Sequence, residues 1–153
     1  MNNLGMATGG GGLGGLAALS LGINSPRILL VEDDRCLRRL LARVLRFEGY
    51  AVVTAGNGVE ALKILQEQRV SLVVTDLCMP GMDGGELTRQ LEHHYPGTPV
   101  IVISGECDAW DRFELRARHN LSRMLVKPIT VETLLKEVSA TLQECNFDLS
   151  KTD

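Results

Sequence analysis

The sequence has no strong excess of either charge sign. It contains 16 Lys and Arg against 19 Asp and Glu, which gives a formal net charge of −3 at pH 7. Overall electrostatics therefore favours neither nucleic acid nor an anionic membrane surface as a direct partner. The hydrophobic fraction of 44% over 153 residues is that of one ordinary globular domain, long enough to form a core without disulfides.

Metal-binding cysteine motifs are also missing. There is no Cys-x-x-Cys pair and no Cys/His spacing, which argues against zinc. We expect most of the cysteines to be buried thiols in a reducing compartment, which points to the cytoplasm. His93 and His94 are adjacent and cannot share a helical face, so they predict a solvated pair near a helix end rather than a metal site. The cysteines are Cys36, Cys78, Cys107 and Cys145.

Residues 1–26 lack any charged side chain and hold half of the 16 glycines. Glycine loses the most entropy on ordering, so we expect a flexible extension over residues 1–26. A secretory signal is the alternative because residues 16–23 are modestly apolar, but no Lys or Arg precedes them. That stretch is also too short and too rich in glycine to span a bilayer. A cloning remnant or a misassigned start is a further explanation. One domain over residues 27–145 and a polar tail over residues 146–153 are expected to follow.

Five short apolar runs alternate with amphipathic segments along residues 27–145. The runs are typical of strands that are buried on both faces of a parallel sheet. The segments between them have helical periodicity, and Asp34, Asn57 and Thr130 are good N-cap residues. The pattern predicts an α/β fold with a doubly wound, five-stranded parallel sheet and five helices on its two faces. The predicted strands are 27–31, 51–55, 72–76, 100–103 and 124–126; the third and fourth helices span about 84–95 and 108–120.

Polar side chains follow four of the five predicted strands. Glu32 and Asp33 follow the first, Asp76 ends the third, Ser104 ends the fourth and Lys127 follows the fifth. The carboxyl ends of parallel strands meet at one edge of a sheet, so these groups should share one crevice. Close carboxylates repel, a hard divalent cation relieves that repulsion, and a Lys supplies a charge for a phosphate. The set therefore predicts a Mg²⁺-dependent phosphoryl site with Asp76 as nucleophile, although Asp76 alone could be a turn cap.

At these residues the sequence resembles the receiver domain of two-component response regulators, over about residues 27–144. The resemblance implies a flavodoxin-like strand order of 2-1-3-4-5 and a cis bond before Pro128. The matching motifs are Val31-Glu32-Asp33-Asp34, Asp76-Leu77-Cys78-Met79-Pro80-Gly81-Met82-Asp83-Gly84, Ile103-Ser104-Gly105-Glu106 and Val126-Lys127-Pro128-Ile129.

The resemblance also implies a set of roles. Asp76 would accept a phosphoryl group from a phosphohistidine on a histidine kinase or a histidine phosphotransfer protein. Asp33 and Asp76 would ligate Mg²⁺ (or Mn²⁺) directly, Glu32 would hold it mainly through water, and Cys78 would offer its backbone carbonyl. Lys127 would pair with the phosphoryl oxygens, and Ser104 would move in to hydrogen-bond them. No activity is expected beyond this self-catalysed phosphotransfer and autodephosphorylation.

Other positions of the resemblance are expected to modulate this chemistry. Cys78 and Glu106, two residues beyond the acceptor and the serine, would border the attacking water and tune dephosphorylation. Met124 stands where the family often has an aromatic switch residue, and Gly85 stands where a larger apolar residue is common. The output surface would be the fourth helix, the fifth strand and the fifth helix, which would bind an unknown downstream protein.

Two other functions are weighed against this one. A haloacid-dehalogenase-like phosphatase also uses an Asp nucleophile, but it needs a second Asp where this chain has Cys78. A pseudo-receiver that serves only as an interaction domain is the remaining alternative. The chain is expected to act by binding another protein, or to be a piece of a longer regulator or hybrid kinase. The polar face of the first helix is either solvated or a docking surface for an acidic partner; it carries Arg35, Arg38, Arg39, Arg43 and Arg46.

Overall fold

A computed structural model describes residues 25–105 and 118–149 of the chain. The described strands are β1 (Arg27–Val31), β2 (Ala51–Ala55), β3 (Leu72–Asp76), β4 (Val100–Ser104) and β5 (Leu121–Val126). The described helices are α1 (Arg35–Phe47), α2 (Gly58–Glu67), α3 (Gly84–His94) and α4 (Val131–Leu149).

The five strands form one parallel sheet in the order β2-β1-β3-β4-β5. This confirms the predicted strand order and the α/β class. Most of the fourth predicted helix, residues 106–117, lies outside the described residues. Its predicted end at residues 118–120 is not helical, and residues 119 and 120 form a turn that leads directly into β5.

The core has two halves, one on each face of the sheet. Alternate residues of β1 point to opposite faces, because side chains of a strand alternate. Ile28 packs in the cluster that includes Leu45 of α1 and Leu134 of α4, whereas Leu29 packs with Leu65 of α2 and Leu87 of α3. Helices on both faces leave β3 and β4 with no exposed residue, which is why their sequences are apolar throughout up to their polar ends.

The helix starts follow the predicted caps. The side chain of Asp34 accepts the N–H of Leu37, and the side chain of Asn57 accepts the N–H of Glu60. Thr130 caps α4 through the N–H of Thr133, so all three predicted cap residues are confirmed. Gly49, with φ of 97°, ends α1 in the left-handed conformation that favours glycine.

Two further predicted boundaries were wrong. β5 begins at Leu121 and not at residue 124, because an edge strand tolerates the polar Ser122 and Arg123 that interrupt its apolar pattern. The irregular register between β4 and β5 falls in this added part of the strand. α4 continues to Leu149, so it includes the first four residues of the segment predicted as a polar tail, since no glycine or proline follows Leu142 to stop it.

Candidate functional site

Three carboxylates meet at the carboxyl ends of the two central strands β1 and β3. One oxygen from each of Glu32, Asp33 and Asp76 can be chosen so that all three atoms lie within 4.8 Å of one another. Glu32 and Asp76 are only 4% and 5% exposed, whereas Asp33 is exposed at the mouth of the cluster. The sheet produces this proximity because β1 and β3 are hydrogen-bonded neighbours that end at the same edge.

Lys127, at the end of β5, supplies the positive charge of the site. Its Nζ donates to Asp76 Oδ2 at 2.9 Å and lies 3.9 Å from Glu32 Oε2. The peptide bond between Lys127 and Pro128 is cis, as the resemblance implied. Partial burial acts to lower the pKa of Lys127, but the hydrogen bond to Asp76 and the charges of the three carboxylates outweigh it and raise that pKa. The ammonium therefore stays charged at neutral pH.

Glu32 shows the cost of burying an acid in this cluster. Burial is the largest influence and raises the pKa of the Glu32 carboxyl to about 7. The N–H of Asp34, which donates to Glu32 Oε1 at 3.0 Å, and the charge of Lys127 act in the opposite direction, while the charge of Asp76 adds to the rise. Burial, more than the neighbouring carboxylates, is thus the reason that Glu32 holds its proton more tightly than a free carboxyl does.

The chemistry of this donor set fits a hard divalent cation. Every side-chain ligand atom in the cluster is a carboxylate oxygen, and the excess of negative charge would be relieved by a cation of charge +2. Mg²⁺ needs only one or two protein carboxylates and keeps waters and phosphate oxygens as its other ligands, which suits an acid cluster with one exposed member.

Ser104 ends β4 beside this cluster. Its side chain is fully buried, and its Oγ has no hydrogen-bond partner among the residues that the structure describes. Its carbonyl accepts the N–H of Lys127 at 2.8 Å, so the ends of β4 and β5 are linked at the site. A buried hydroxyl without a partner is rare in a folded protein, which makes Ser104 a group available to a ligand.

The predicted modulating residues lie in different settings. The N–H of Cys78 lies 3.4 Å from Asp76 Oδ1, so the amide of Cys78 contacts the cluster. Met124 is half-buried on β5 and packs against the core cluster on the α2 and α3 face. Glu106 lies outside the described residues. The expectation of buried thiols was wrong for two cysteines, since Cys36 and Cys78 are exposed; Cys145 is half-buried, and Cys107 is not described.

Two residues make contacts beside the cluster that their sequence patterns do not predict. Arg38 was grouped with the polar face of α1, but its Nη1 donates to the carbonyl of Glu32 at 2.6 Å. Gly84 starts α3 so close to β3 that a Cβ at this position would lie 2.2 Å from the carbonyl oxygen of Asp76. The position of Gly84, immediately after a capping Asp83 and eight residues beyond Asp76, was the available signal.

Together, the parallel sheet of order 2-1-3-4-5 and the acidic cluster at its central strand ends define a receiver-type domain. The chain belongs to the response regulator receiver domain family of two-component signalling, whose model matches residues 28–139. The Response regulator MprA of Mycobacterium sp. (strain KMS) is 38% identical over 123 residues, which cover 80% of this chain and 53% of that protein.

Two further relatives support the same family. The Transcriptional regulatory protein GlrR of Escherichia coli (strain K12) is 35% identical over 117 residues, 76% of this chain and 26% of that protein. A CheY-like receiver domain protein from Methanospirillum hungatei JF-1 superimposes with a TM-score of 0.77 at 26% identity, over 81% of this chain and 98% of that one. This chain spans about half of MprA and a quarter of GlrR, so the transcriptional role in the name of GlrR belongs to that whole protein.

Among the described helices, none has the length and apolar character needed to cross a membrane.

Proposed function

We propose that this chain is the phosphoacceptor of a His-Asp phosphorelay and that Asp76 carries the phosphoryl group. The supporting observation is the environment of Asp76, whose carboxylate ends a central strand, accepts a hydrogen bond from Lys127 and lies within one cation's reach of Glu32 and Asp33. The donor would be a phosphohistidine of a histidine kinase or a histidine phosphotransfer protein.

The chemistry follows from the groups at the site. An oxygen of Asp76 attacks the phosphorus, the bond from phosphorus to the imidazole nitrogen breaks, and that nitrogen leaves with the electron pair. The product is an acyl phosphate on Asp76 and a free histidine on the donor. Asp33 and Asp76 would hold Mg²⁺ or Mn²⁺, with Glu32 acting through water and Cys78 through its carbonyl. The cation would neutralise charge on the transferred group.

Lys127 and Ser104 would respond to the new charge. The ammonium of Lys127 can transfer its hydrogen bond from Asp76 Oδ2 to a phosphoryl oxygen, because it lies on a separate strand and is already within 2.9 Å. The Oγ of Ser104 lacks a partner among the described residues and can donate to another phosphoryl oxygen. Movement of Ser104 toward the phosphate would pull the end of β4, and Met124 on β5 would repack.

We propose that this movement shifts an existing equilibrium and so changes the affinity for a downstream protein. The expected binding surface for that protein includes the fifth strand and the last helix, which are β5 and α4 in the structure. A pseudo-receiver function remains the alternative, and the phosphorylation experiment separates the two. The dehalogenase-like phosphatase is disfavoured because the position of its second acid is the exposed Cys78.

Intact mass after incubation with a small phosphodonor tests the proposal. Acetyl phosphate or phosphoramidate with Mg²⁺ should add one phosphate to the wild type, and excess EDTA should abolish the gain. Asp76→Ala should show no gain. Asp83→Asn is the matched control, because Asp83 is an exposed carboxylate whose capping of α3 an Asn can replace.

Two results would contradict the proposal. A phosphate gain that persists in Asp76→Ala would place the acceptor elsewhere. A wild type that gains no phosphate from either small donor, or from a panel of phosphorylated histidine phosphotransfer domains, would favour the pseudo-receiver.

A further inference from the structure

Arg38 contacts the backbone that carries two of the three clustered acids. Its Nη1 donates to the carbonyl of Glu32 at 2.6 Å and lies 3.4 Å from the carbonyl of Asp33. The side chain is half-buried, and the same nitrogen lies 3.2 Å from the place that a Cβ of Gly56 would occupy. The guanidinium therefore fills the space between the turn after β1 and the turn after β2.

The turn after β1 is thereby held on two sides. On one side, Arg38 fixes the carbonyls of Glu32 and Asp33. On the other side, the carboxylate of Glu32 accepts the N–H of Asp34, and the carboxylate of Asp34 caps α1. The backbone conformation limits the rotamers that a side chain can adopt, so these contacts restrict the directions of the two carboxylates. A guanidinium is suited to this task because it is planar and always charged.

The charge of Arg38 alone would have the opposite effect on a cation. A positive group near a cation site repels the cation, so a purely electrostatic role predicts tighter cation binding when Arg38 is removed. A role in orienting the acids predicts weaker binding, because the loss of a group that orients metal ligands lowers metal affinity about 10- to 100-fold. The two roles therefore predict changes of opposite sign.

We propose that Arg38 is a positioning residue that holds the Glu32–Asp33 turn in the conformation that binds the divalent cation. The proposal rests on the proposed function for the cation itself. It assigns Arg38 no contact with the transferred phosphate. Its influence passes through the backbone carbonyls of the two acids, whereas Asp76 and Lys127 are held by other strands.

Cation affinity gives the first test. Free Mn²⁺ is measured by electron paramagnetic resonance during titration of the wild type, Arg38→Ala, Arg38→Lys and Arg39→Ala. Arg39 is the matched control, since it is the exposed neighbour and makes no hydrogen bond or ion pair within the described part of the chain. We expect about 10- to 100-fold weaker binding for Arg38→Ala. Arg38→Lys should recover part of the loss, because an ammonium can donate to one carbonyl. Arg39→Ala should bind as well as the wild type or better.

Phosphorylation kinetics should show that Arg38 affects cation affinity and not the rate at saturating cation. For Arg38→Ala, the Mg²⁺ concentration that gives half the maximal rate should rise with the dissociation constant. The rate at saturating Mg²⁺ should stay close to that of the wild type, because the variant loses affinity for the cation and none of the groups that contact the phosphoryl group. Equal or tighter Mn²⁺ binding by Arg38→Ala, or a loss confined to the saturated rate, would overturn the proposal.

A measurement without metal separates this inference from the proposed function. In EDTA, backbone ¹⁵N order parameters of Glu32, Asp33 and Asp34 should fall in Arg38→Ala and not in Arg39→Ala. Values for β3 should stay unchanged, which excludes general loosening of the domain. Unchanged order parameters at the turn would overturn the role of Arg38. If the wild type itself fails to bind Mn²⁺, the proposed function fails, and the order parameters still decide whether Arg38 positions the turn.

Discussion

At the scale of single residues, contacts from three segments of the chain hold Asp76 in place. Lys127 of the segment after β5 donates to one of its oxygens, the amide of Cys78 faces the other, and its carbonyl lies against the start of α3. Asp76 is therefore fixed in direction while one side of its cluster stays open at the exposed Asp33. Access to that opening should govern how long a phosphoryl group survives.

Cys78→Asn should shorten the lifetime of the phosphorylated protein several-fold without abolishing phosphorylation. Cys78 is exposed beside Asp76, and a carboxamide there can hydrogen-bond a water that attacks the phosphorus, whereas a thiol is a weak donor and acceptor. The decay of the phosphate gain in intact mass measures the lifetime. Cys36→Asn is the control, since Cys36 is another exposed cysteine, on α1. An unchanged decay rate in Cys78→Asn would refute this role.

At the scale of elements, the start of α3 is packed directly on the end of β3. The N–H of Gly84 donates to the carbonyl of Leu77 at 2.9 Å, and there is no space for a side chain between Gly84 and Asp76. The next residue, Gly85, faces a more open space, where a Cβ would lie 3.3 Å from the carboxylate of Asp83. The position that the family resemblance marked as unusual, Gly85, is therefore not the one where glycine is required.

Gly84→Ala and Gly85→Ala should change the free energy of unfolding by amounts that differ in sign or size. Gly84→Ala forces a backbone shift, so we expect it to lower the free energy of unfolding by about 1–3 kcal/mol or more. It should also slow phosphorylation, since the displaced atom is the carbonyl of Asp76. Gly85→Ala should change stability by less than about 1 kcal/mol and can increase it, because alanine is the better helix former. Urea denaturation measures both, and equal losses in the two variants would be inconsistent with this packing.

The junction between α1 and β2 is tied to α4 through a tyrosine. Burial raises the pKa of Tyr50, the hydrogen bond with Ser139 lowers it, and the charge of Glu48 raises it again, with a net rise. The folded protein therefore prefers the neutral phenol more strongly than the unfolded chain does. The resulting stabilisation is complete below the unfolded pKa of about 10 and is lost as the pH rises through the raised folded value.

The pH dependence of stability should report this contribution. We expect the free energy of unfolding of the wild type to fall more steeply than that of Tyr50→Phe between pH 9 and pH 11, because phenylalanine cannot ionise. Urea denaturation at several pH values gives both curves, and the wild type should lose part of its advantage as the pH rises. Parallel curves would show that Tyr50 does not link this junction to pH.

For the whole molecule, the structure could be predicted from the sequence wherever a single local pattern determined it. Uniformly apolar runs predicted β1, β3 and β4, and the polar residues that end them predicted which side chains would meet, because parallel strands end at one edge. The pattern could not predict the contacts of a side chain with segments that are distant in the sequence. Ser122 and Arg123 interrupt β5, yet Arg123 reaches Glu137 and Glu144 on α4. The contact of Arg38 with the carbonyl of Glu32 likewise leaves no periodic signal.

The acidic cluster couples the site to the stability of the whole domain. Without a cation, the three carboxylates repel one another. Two unit charges about 4 Å apart interact with an energy of about 1 kcal/mol in water, and with more where they are partly buried. Asp33 is the exposed member, so its charge can be removed without leaving a cavity. A bound cation reverses the balance, because a ligand at 100 times its dissociation constant stabilises the folded state by about 2.7 kcal/mol.

Asp33→Asn should therefore be more stable than the wild type in EDTA and less stable in saturating Mg²⁺. In EDTA, the lost repulsion should raise the free energy of unfolding by about 1 kcal/mol. In Mg²⁺, the wild type should gain stability and the variant should gain little, so the order reverses. Asp34→Asn is the control, since Asp34 is adjacent and caps α1, and Asn caps equally well. Urea denaturation in the two buffers measures each difference. An Asp33→Asn variant that gains as much stability from Mg²⁺ as the wild type would show that Asp33 is not a ligand.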